Sequence, residues 1–149
     1  MIKMKHVKLF VMALVCLFVS AACFADDKMI PVEQLPATVK TFIKQHFPQK
    51  TILYAEKDSE IRGVKYEVRL NDGTEVNFDK KGNWDKIDCK RVAVPAVFIP
   101  QAIATYVQTN FPGDIIVKID KERYGYEIEL LSDLELKFNK KGQLISMDD

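Results

Sequence analysis

The chain has 149 residues and nearly balanced charge, with 22 Lys and Arg against 21 Asp and Glu. This length suits one compact domain or two very small ones. Its 48% apolar and 29% charged residues exclude a disordered tail and a membrane bundle, and the balanced charge argues against nucleic-acid binding.

Residues 1–25 predict a secretory signal peptide. Three lysines precede an apolar run, residues 9–19, that is too short to span a membrane. Small residues at and before Ala25 fit a cleavage site, so we expect an exported, periplasmic protein with no integral membrane span. Alternatively, Cys23 is the lipidated first residue of an anchored lipoprotein, because two alanines precede it as in a lipobox.

The rest of the sequence contains an internal repeat. Residues 35–56 align with residues 99–120 at an offset of 64, and residues 66–88 align with residues 126–148 at an offset of 60. This predicts a first repeat at residues 26–90, a connector at residues 91–98 and a second repeat at residues 99–149. The connector is too apolar for a flexible linker, so we expect it to pack against the protein and hold the two sheets side by side.

Each copy is predicted to begin with a helix. Pro36 and Pro100 suit a first helical turn, and an apolar stripe at three- and four-residue spacing follows each of them. Pro48 and Pro112 end the two helices, because the residue before a proline avoids helical backbone angles.

Four strands are predicted after each helix, because apolar and polar side chains alternate between glycine-containing or polar turns. They cover residues 51–57, 64–70, 74–78 and 84–90 in the first copy, and residues 115–121, 124–130, 134–138 and 143–147 in the second. The predicted fold class is α+β, a tandem repeat of a helix followed by a four-stranded antiparallel meander. One sheet face would take the helix and the other would stay open to water.

The sequence offers few groups for catalysis. His46 and Cys89 are the only histidine and cysteine beyond residue 25. We expect His46 to be a helix-end surface residue and Cys89 a half-buried strand residue. A thiol nucleophile needs a base and an orienting group, and zinc sites use several His or Cys ligands. The sequence therefore predicts no enzyme, no catalytic or metal-binding residue and no cofactor.

The open sheet face is the predicted partner-binding surface. Repeated alternation places charged side chains there in both copies, and aromatic rings would add anchors where they point outward, with Tyr54 as one of them. The candidate residues are Glu67, Arg69, Glu75, Trp84, Glu127, Glu129 and Glu135.

Three motifs resemble the PepSY-like family, exported proteins of Bacteroidetes often described as β-lactamase-inhibitor-like. They are the Leu-Pro…Phe-Ile-Lys-Gln-His-Phe-Pro run at residues 35–48, its echo at residues 99–112 and the Phe-Asp-Lys-Lys-Gly turn at residues 78–82. The resemblance implies a tandem helix-plus-four-strand fold like that of the β-lactamase inhibitor protein. Related modules occur in metalloprotease propeptides and are thought to inhibit peptidases.

Together these observations predict a non-catalytic exported binding module, an inhibitor of a peptidase or hydrolase acting through the open sheet face. Its partner would be another exported or cell-surface protein. The alternative is an envelope structural or stress protein that works by self-association, and the sequence leaves the oligomeric state open.

Overall fold

The computed structural model describes residues 28–60 and 63–149. The predicted signal peptide and Cys23 lie outside these residues. Within the described residues, nine antiparallel strands form one sheet whose strand order equals the sequence order. The strands are β1 (Lys28–Ile30), β2 (Ile52–Glu60), β3 (Gly63–Leu70), β4 (Glu75–Asp79), β5 (Trp84–Asp88), β6 (Ile116–Lys121), β7 (Gly125–Leu130), β8 (Glu135–Asn139) and β9 (Leu144–Asp148).

Two α-helices, α1 (Ala37–His46) and α2 (Gln101–Asn110), pack on the sheet. Each starts immediately after a proline, whose carbonyl accepts a hydrogen bond from the first turn. Each ends where the N–H of a phenylalanine, Phe47 or Phe111, bonds to a carbonyl four residues earlier at 2.8 Å. Within described residues, no helix has the length and apolar character needed to cross a membrane.

The structure differs from the sequence prediction in the sheet. β1 is an additional strand of three residues, which is too short to show an alternating pattern, and it pairs with β2 from Lys28 to Ile30. The two copies also share one sheet, because β5 pairs with β6 through Lys86, Ile87 and Asp88. Over residues 28–60 and 63–149, the fold is therefore a mixed α/β arrangement with two α-helices on a single nine-stranded antiparallel sheet.

The core lies between the helices and one face of the sheet. Val39 and Ile43 of α1 and Ile103 and Val107 of α2 are buried. They contact the apolar residues of the strands in one cluster, which includes Val68, Leu70, Val76, Phe78, Ile87, Ile119, Ile128, Leu130, Leu136 and Phe138.

Matched glycines let the β4–β5 and β8–β9 turns approach the two helices. Gly82 and Gly142 have φ values of +84° and +76°, which favour glycine. A Cβ atom on Gly142 would lie 2.6 Å from the Cβ of Ala102 in α2, and one on Gly82 would collide with Thr38 in α1. The shared turn sequence therefore has a packing role in both copies.

The connector joins the two copies through one aromatic side chain. Phe98 is 7% exposed and lies among rings of the first copy, with ring-centroid distances of 4.9 Å to His46, 5.4 Å to Trp84 and 5.5 Å to Phe42. His46 is therefore half-buried between Phe42 and Phe98, and the expectation of a surface residue is wrong for its ring. The counterpart of Phe98 in the first copy is Gln34, which is exposed.

Candidate binding surface

The strand register fixes which side chains share the open face of the sheet. Val68 and Leu70 in β3 are buried under the helices. Because successive side chains of a strand alternate between faces, Glu67 and Arg69 point to the opposite, open face. Residues directly opposite them on neighbouring strands lie on that same face.

Two rows of opposed residues cross the sheet on this face. We call the first row the Arg69 ladder. It consists of Tyr54, Arg69, Glu75, Asp88, Lys118, Glu129, Glu135 and Asp148.

We call the second row the Glu67 ladder. Its members are also opposed pair by pair, and with Met29 of β1 opposite Glu56 the row reaches all nine strands. It consists of Glu56, Glu67, Asn77, Lys86, Asp120, Glu127, Lys137 and Ser146.

In the first copy, one carboxylate is the centre of the charge network. Glu75 is only 8% exposed. Arg69 donates a hydrogen bond to its carboxylate, and the Nζ atoms of Lys86 and Lys90 each lie 3.4 Å from it. Lys90 also pairs with Asp88 at 2.7 Å. Burial of a carboxylate is tolerated here because three cations and their hydrogen bonds compensate its charge.

Arg69 connects the two ladders in this region. Its guanidinium lies 5.7 Å from the centre of the Tyr54 ring and 3.6 Å from the carboxylate of Glu67. Desolvation, together with the nearby carboxylates of Glu75 and Glu56, raises the pKa of Glu67 above its ordinary value. Partial burial and two neighbouring carboxylates thus disfavour the charged form of Glu67.

In the second copy, lysines are the centres and carboxylates surround them. Lys137 lies 3.3 Å from Glu135, 3.8 Å from Glu127 and 3.4 Å from Asp148. Lys118 likewise lies 3.5 Å from Asp120 and 3.6 Å from Glu129.

The electrostatics of Lys118 and Asp120 follow from their burial and their neighbours. Burial acts to lower the pKa of Lys118, but Asp120 and Glu129 outweigh it and the net shift is upward. Burial raises the pKa of Asp120, although Lys118 and Lys86 oppose the shift. This half of the face carries more carboxylates than cations.

A cavity of about 200 Å³ opens on the first half of the face. It is lined by one cation, one aromatic side chain and four side chains with acceptor oxygens: Lys65, Tyr66, Glu56, Asp58, Glu67 and Asn77. The Oδ1 atom of Asn77 is buried and has no hydrogen-bond partner among the residues that the structure describes. The cavity therefore offers acceptor oxygens to an entering donor.

The structure brings six of the seven predicted site residues together on the open face and corrects the seventh. Trp84 pairs with Phe78, whose ring is buried on the helix side, so Trp84 lies on that side too. Its ring packs against Phe98 and is covered by Lys121, whose Nζ atom is 3.6 Å from the ring centre. A β-bulge between β4 and β5 shifts the register at this point, and the sequence pattern does not reveal it.

Sequence reasoning missed the cross-strand members of the ladders that come from β2, β5, β6 and β9. Asp88 and Lys118 meet only because β5 pairs with β6, a contact between the two copies. Opposite charges in residues 84–90 and 115–121 face each other once β5 and β6 are paired. The sequence contains these charges, but it shows their match only if the pairing of the two strands is already known. The residues missed are Glu56, Lys86, Asp88, Lys118, Asp120, Ser146 and Asp148.

The one cysteine among the described residues is buried, and the acidic side chains do not gather into a metal-binding group. Cys89 is buried at the end of β5, and burial raises the pKa of its thiol to about 11. Among residues 28–60 and 63–149, no group of three His, Cys, Asp or Glu side chains lies close enough to hold a metal ion. The arrangement on the open face is suited to contacts with charged groups.

Solved structures with the same fold are periplasmic proteins by their descriptions. A "putative periplasmic protein of unknown function" from Bacteroides vulgatus ATCC 8482 is 37% identical and has a TM-score of 0.79, with 83% of this chain and 100% of that chain covered. A "putative calcium-regulated periplasmic protein" from Bacteroides thetaiotaomicron is 44% identical, with a TM-score of 0.77 and 83% and 98% covered. Another B. vulgatus periplasmic protein is 40% identical, with the same TM-score and the same coverage.

The sequence family gives the same result. No curated protein matches the chain significantly. The profile of a family described as "Putative beta-lactamase-inhibitor-like, PepSY-like" matches the chain in two regions, residues 24–65 and residues 64–146. These matches cover most of the sequence, and the chain therefore belongs to the PepSY-like family.

Proposed function

We propose that this chain is a non-catalytic periplasmic binding protein that holds another exported protein against the open face of its sheet. The observation that carries the proposal is the pair of ladders, which place charged or polar side chains on this face in every strand from β2 to β9. The periplasmic relatives support the location.

The dimensions of the face support a protein partner. Neighbouring strands lie about 4.8 Å apart, so the ladders extend over about 34 Å from β2 to β9. A specific protein contact buries about 800 Å² on each partner. The open face is large enough for such a contact, and the helices cover the other face.

The charge of the face indicates what the partner presents. In the second copy, the carboxylates of the ladders exceed the two lysines, Lys118 and Lys137; these carboxylates are Asp120, Glu127, Glu129, Glu135 and Asp148. In the first copy, the cavity beside Glu67 presents the buried oxygen of Asn77. We therefore expect a partner surface that carries lysine or arginine side chains, one of which enters this cavity.

The finer proposal is that the partner is a peptidase or another hydrolase, and that binding inhibits it. The family's description as β-lactamase-inhibitor-like supports this class of partner. An enzyme captured by the protein should lose activity when the protein is added in excess. Binding without any loss of activity would limit the proposal to a binding role.

The test is capture of the partner from a native envelope fraction. Charge reversal at Glu67 and Glu127 together should weaken capture at least tenfold while the unfolding temperature changes little, since both side chains lie at the surface in half-exposed ion pairs, which contribute about 0–1 kcal/mol. Glu33→Lys with Glu122→Lys is the matched control, because it reverses the same charge at exposed positions outside the ladders.

Undiminished capture by the Glu67/Glu127 variant, or equal loss in the control, would contradict the sheet-face proposal. Repeating the capture with EDTA and with Ca²⁺ tests whether the calcium regulation named for the B. thetaiotaomicron relative extends to this chain.

A second candidate function is that of an envelope structural protein that self-associates. The observation that favours it is an exposed strand edge, with apolar side chains, at β9. In the capture experiment, this function predicts that the protein retrieves only further copies of itself.

A further inference from the structure

The outer edge of β9 is the feature that the proposed function does not use. β9 pairs with β8 on one side, and no described strand pairs with its other side. Ile145 and Met147 on this strand are 55% and 50% exposed. An edge strand with apolar side chains and free backbone groups is a template for pairing with another chain.

The first copy shows what a covered version of this edge looks like. β5 is the counterpart of β9, and Ile87 is the counterpart of Met147 at the offset of 60. β5 pairs with β6 on the side that β9 leaves open, and Ile87 is 0% exposed there. The β-bulge at β5 does not prevent this pairing, and β9 has the same bulge.

We propose that β9 pairs antiparallel with β9 of a second copy of this chain, which forms a two-fold symmetric dimer with a continuous sheet. The β5–β6 contact supplies the geometry. There one apolar pair, Ile87 with Ile119, is flanked by two polar pairs. A β9 dimer centred on Met147 repeats this pattern, with Ser146 of each copy opposite Asp148 of the other.

This register is self-complementary. Met147 lies opposite Leu136, on the helix side of the sheet, so two copies of Met147 meet on the apolar face. On the open face, each Asp148 meets a serine, and no like charges are directly opposed.

The edge at β1 is a poorer partner for β9. β1 has three residues, and Pro31 follows it at once and lacks the N–H group needed to extend a ladder. Pairing of β9 with β1 would also be head to tail, which gives a ring or an open filament and not a two-fold dimer.

The dimer is expected to be weak. A five-residue strand edge buries less than the roughly 1,200 Å² of stable complexes, so the dissociation constant should be on the order of 100 µM. Dimerisation would place two open faces side by side and give the protein two partner-binding surfaces.

Sedimentation equilibrium between about 10 µM and about 1 mM tests the proposal. The native protein should form dimers, and Ile145→Lys with Met147→Lys should raise the dissociation constant at least tenfold. Val92→Lys with Val97→Lys is the matched control, because these connector side chains are 65% and 71% exposed and the added charge is the same. The control should dimerise like the native protein.

A native protein that stays monomeric at every concentration, species larger than dimers, or equal weakening by the control would overturn the proposal. Partner capture by a protein that remains monomeric would overturn the dimer alone and leave the proposed function intact.

Met147→Cys adds a second test that does not depend on the lysine variant folding. A short bismaleimide should link two copies of this variant through their introduced thiols into a covalent dimer, and Val97→Cys should not be linked. Cys89 is buried and should not compete. Equal linking of the Met147→Cys and Val97→Cys variants would show that the β9 edges do not meet.

Discussion

The two copies of the repeat use the same strand positions for opposite charge networks. In the first copy, the cations Arg69, Lys86 and Lys90 surround the buried carboxylate of Glu75. In the second copy, Glu135 takes the position of Glu75, but it is half-exposed and belongs to a ring of carboxylates around Lys137.

The difference has a simple origin in the sequence. At the offset of 60, Arg69 is replaced by Glu129, Asn77 by Lys137 and Lys86 by Ser146. The backbone and the core need none of these residues, because all of them lie on the open face. The two copies thus share the same strand pairing and differ in the charged residues on the open face.

The two copies also differ beneath the helices. In the first copy, Phe98 completes an aromatic cluster with Phe42, His46, Phe47 and Trp84. In the second copy, the ring of Tyr106 contacts the rings of Phe111 and Phe138. Among the residues that the structure describes, no further ring packs there in the way that Phe98 packs on the first copy.

The largest expected difference between the copies concerns Phe98. Phe98→Ala should lower the free energy of unfolding by about 3–5 kcal/mol, because it leaves a cavity in the aromatic cluster. Its counterpart variant, Gln34→Ala, should change the free energy of unfolding by less than about 0.5 kcal/mol, because Gln34 is exposed. Urea unfolding monitored by circular dichroism measures both, and similar midpoints would show that Phe98 does not join the copies.

The phenylalanines that end the two helices give a smaller contrast. Phe47 is 8% exposed and its ring is stacked on that of Phe98, whereas Phe111 is half-buried. We expect Phe47→Ala to cost about 3–4 kcal/mol and Phe111→Ala about 1–2 kcal/mol. The same unfolding measurement applies, and a larger loss for Phe111→Ala would reverse the comparison.

The charge networks predict a difference between Glu75 and Glu135. Glu75→Gln should cost about 1–3 kcal/mol, because it removes the buried negative charge shared by three cations and turns an amide NH2 donor toward them. Glu135→Gln should cost less than about 1 kcal/mol, since its ion pair with Lys137 is half-exposed. Unfolding in low and high salt checks the pair, and equal losses would mean that burial of Glu75 has no energetic role.

The smallest effect concerns Glu67 and its pH dependence. The pKa of Glu67 is raised above 4.5 in the folded protein, so its ionisation opposes folding at higher pH. Glu67→Gln should therefore stabilise the protein at pH 7 by less than about 1 kcal/mol, with the gain lost as the pH falls below about 4.5.

Glu127→Gln is the control for this effect. Glu127 accepts a hydrogen bond from Tyr124 at 3.0 Å and lies 3.8 Å from Lys137, so its removal should bring no gain in stability. Thermal unfolding at several pH values separates the two variants. A gain for Glu67→Gln that persists at about pH 3 would assign it to something other than ionisation.

Local sequence patterns predicted the elements of this fold well, because each element depends on neighbouring residues. The prolines before α1 and α2 mark the helix starts within one residue. The alternation around Val68 and Leu70 separates the buried face from the open face. The family resemblance is confirmed by the matches of residues 24–65 and 64–146 to the PepSY-like profile.

The features that sequence did not predict depend on contacts between elements. β1 forms only because the edge of β2 is available to it, and Trp84 turns to the helix side because a bulge shifts the register. The buried network around Glu75 needs β3, β4 and β5 side by side, with Lys90 folding back from the end of β5. Such positions carry ordinary charged residues whose roles arise from register alone.

The agreement between strand order and sequence order has a consequence for how the chain folds. Each strand pairs with the strand that precedes it in the sequence, so each partner is supplied by the neighbouring segment of the chain. Six of the eight pairings close turns of two to four residues, which favours rapid folding, whereas α1 and α2 lie within the β1–β2 and β5–β6 connections. The aromatic cluster of the first copy is completed by Phe98, which follows the end of β5 by a short segment. Within each copy, strands can therefore pair as soon as their neighbours in the sequence are available, whereas the interior edge of β5 stays open to other chains until β6 pairs with it.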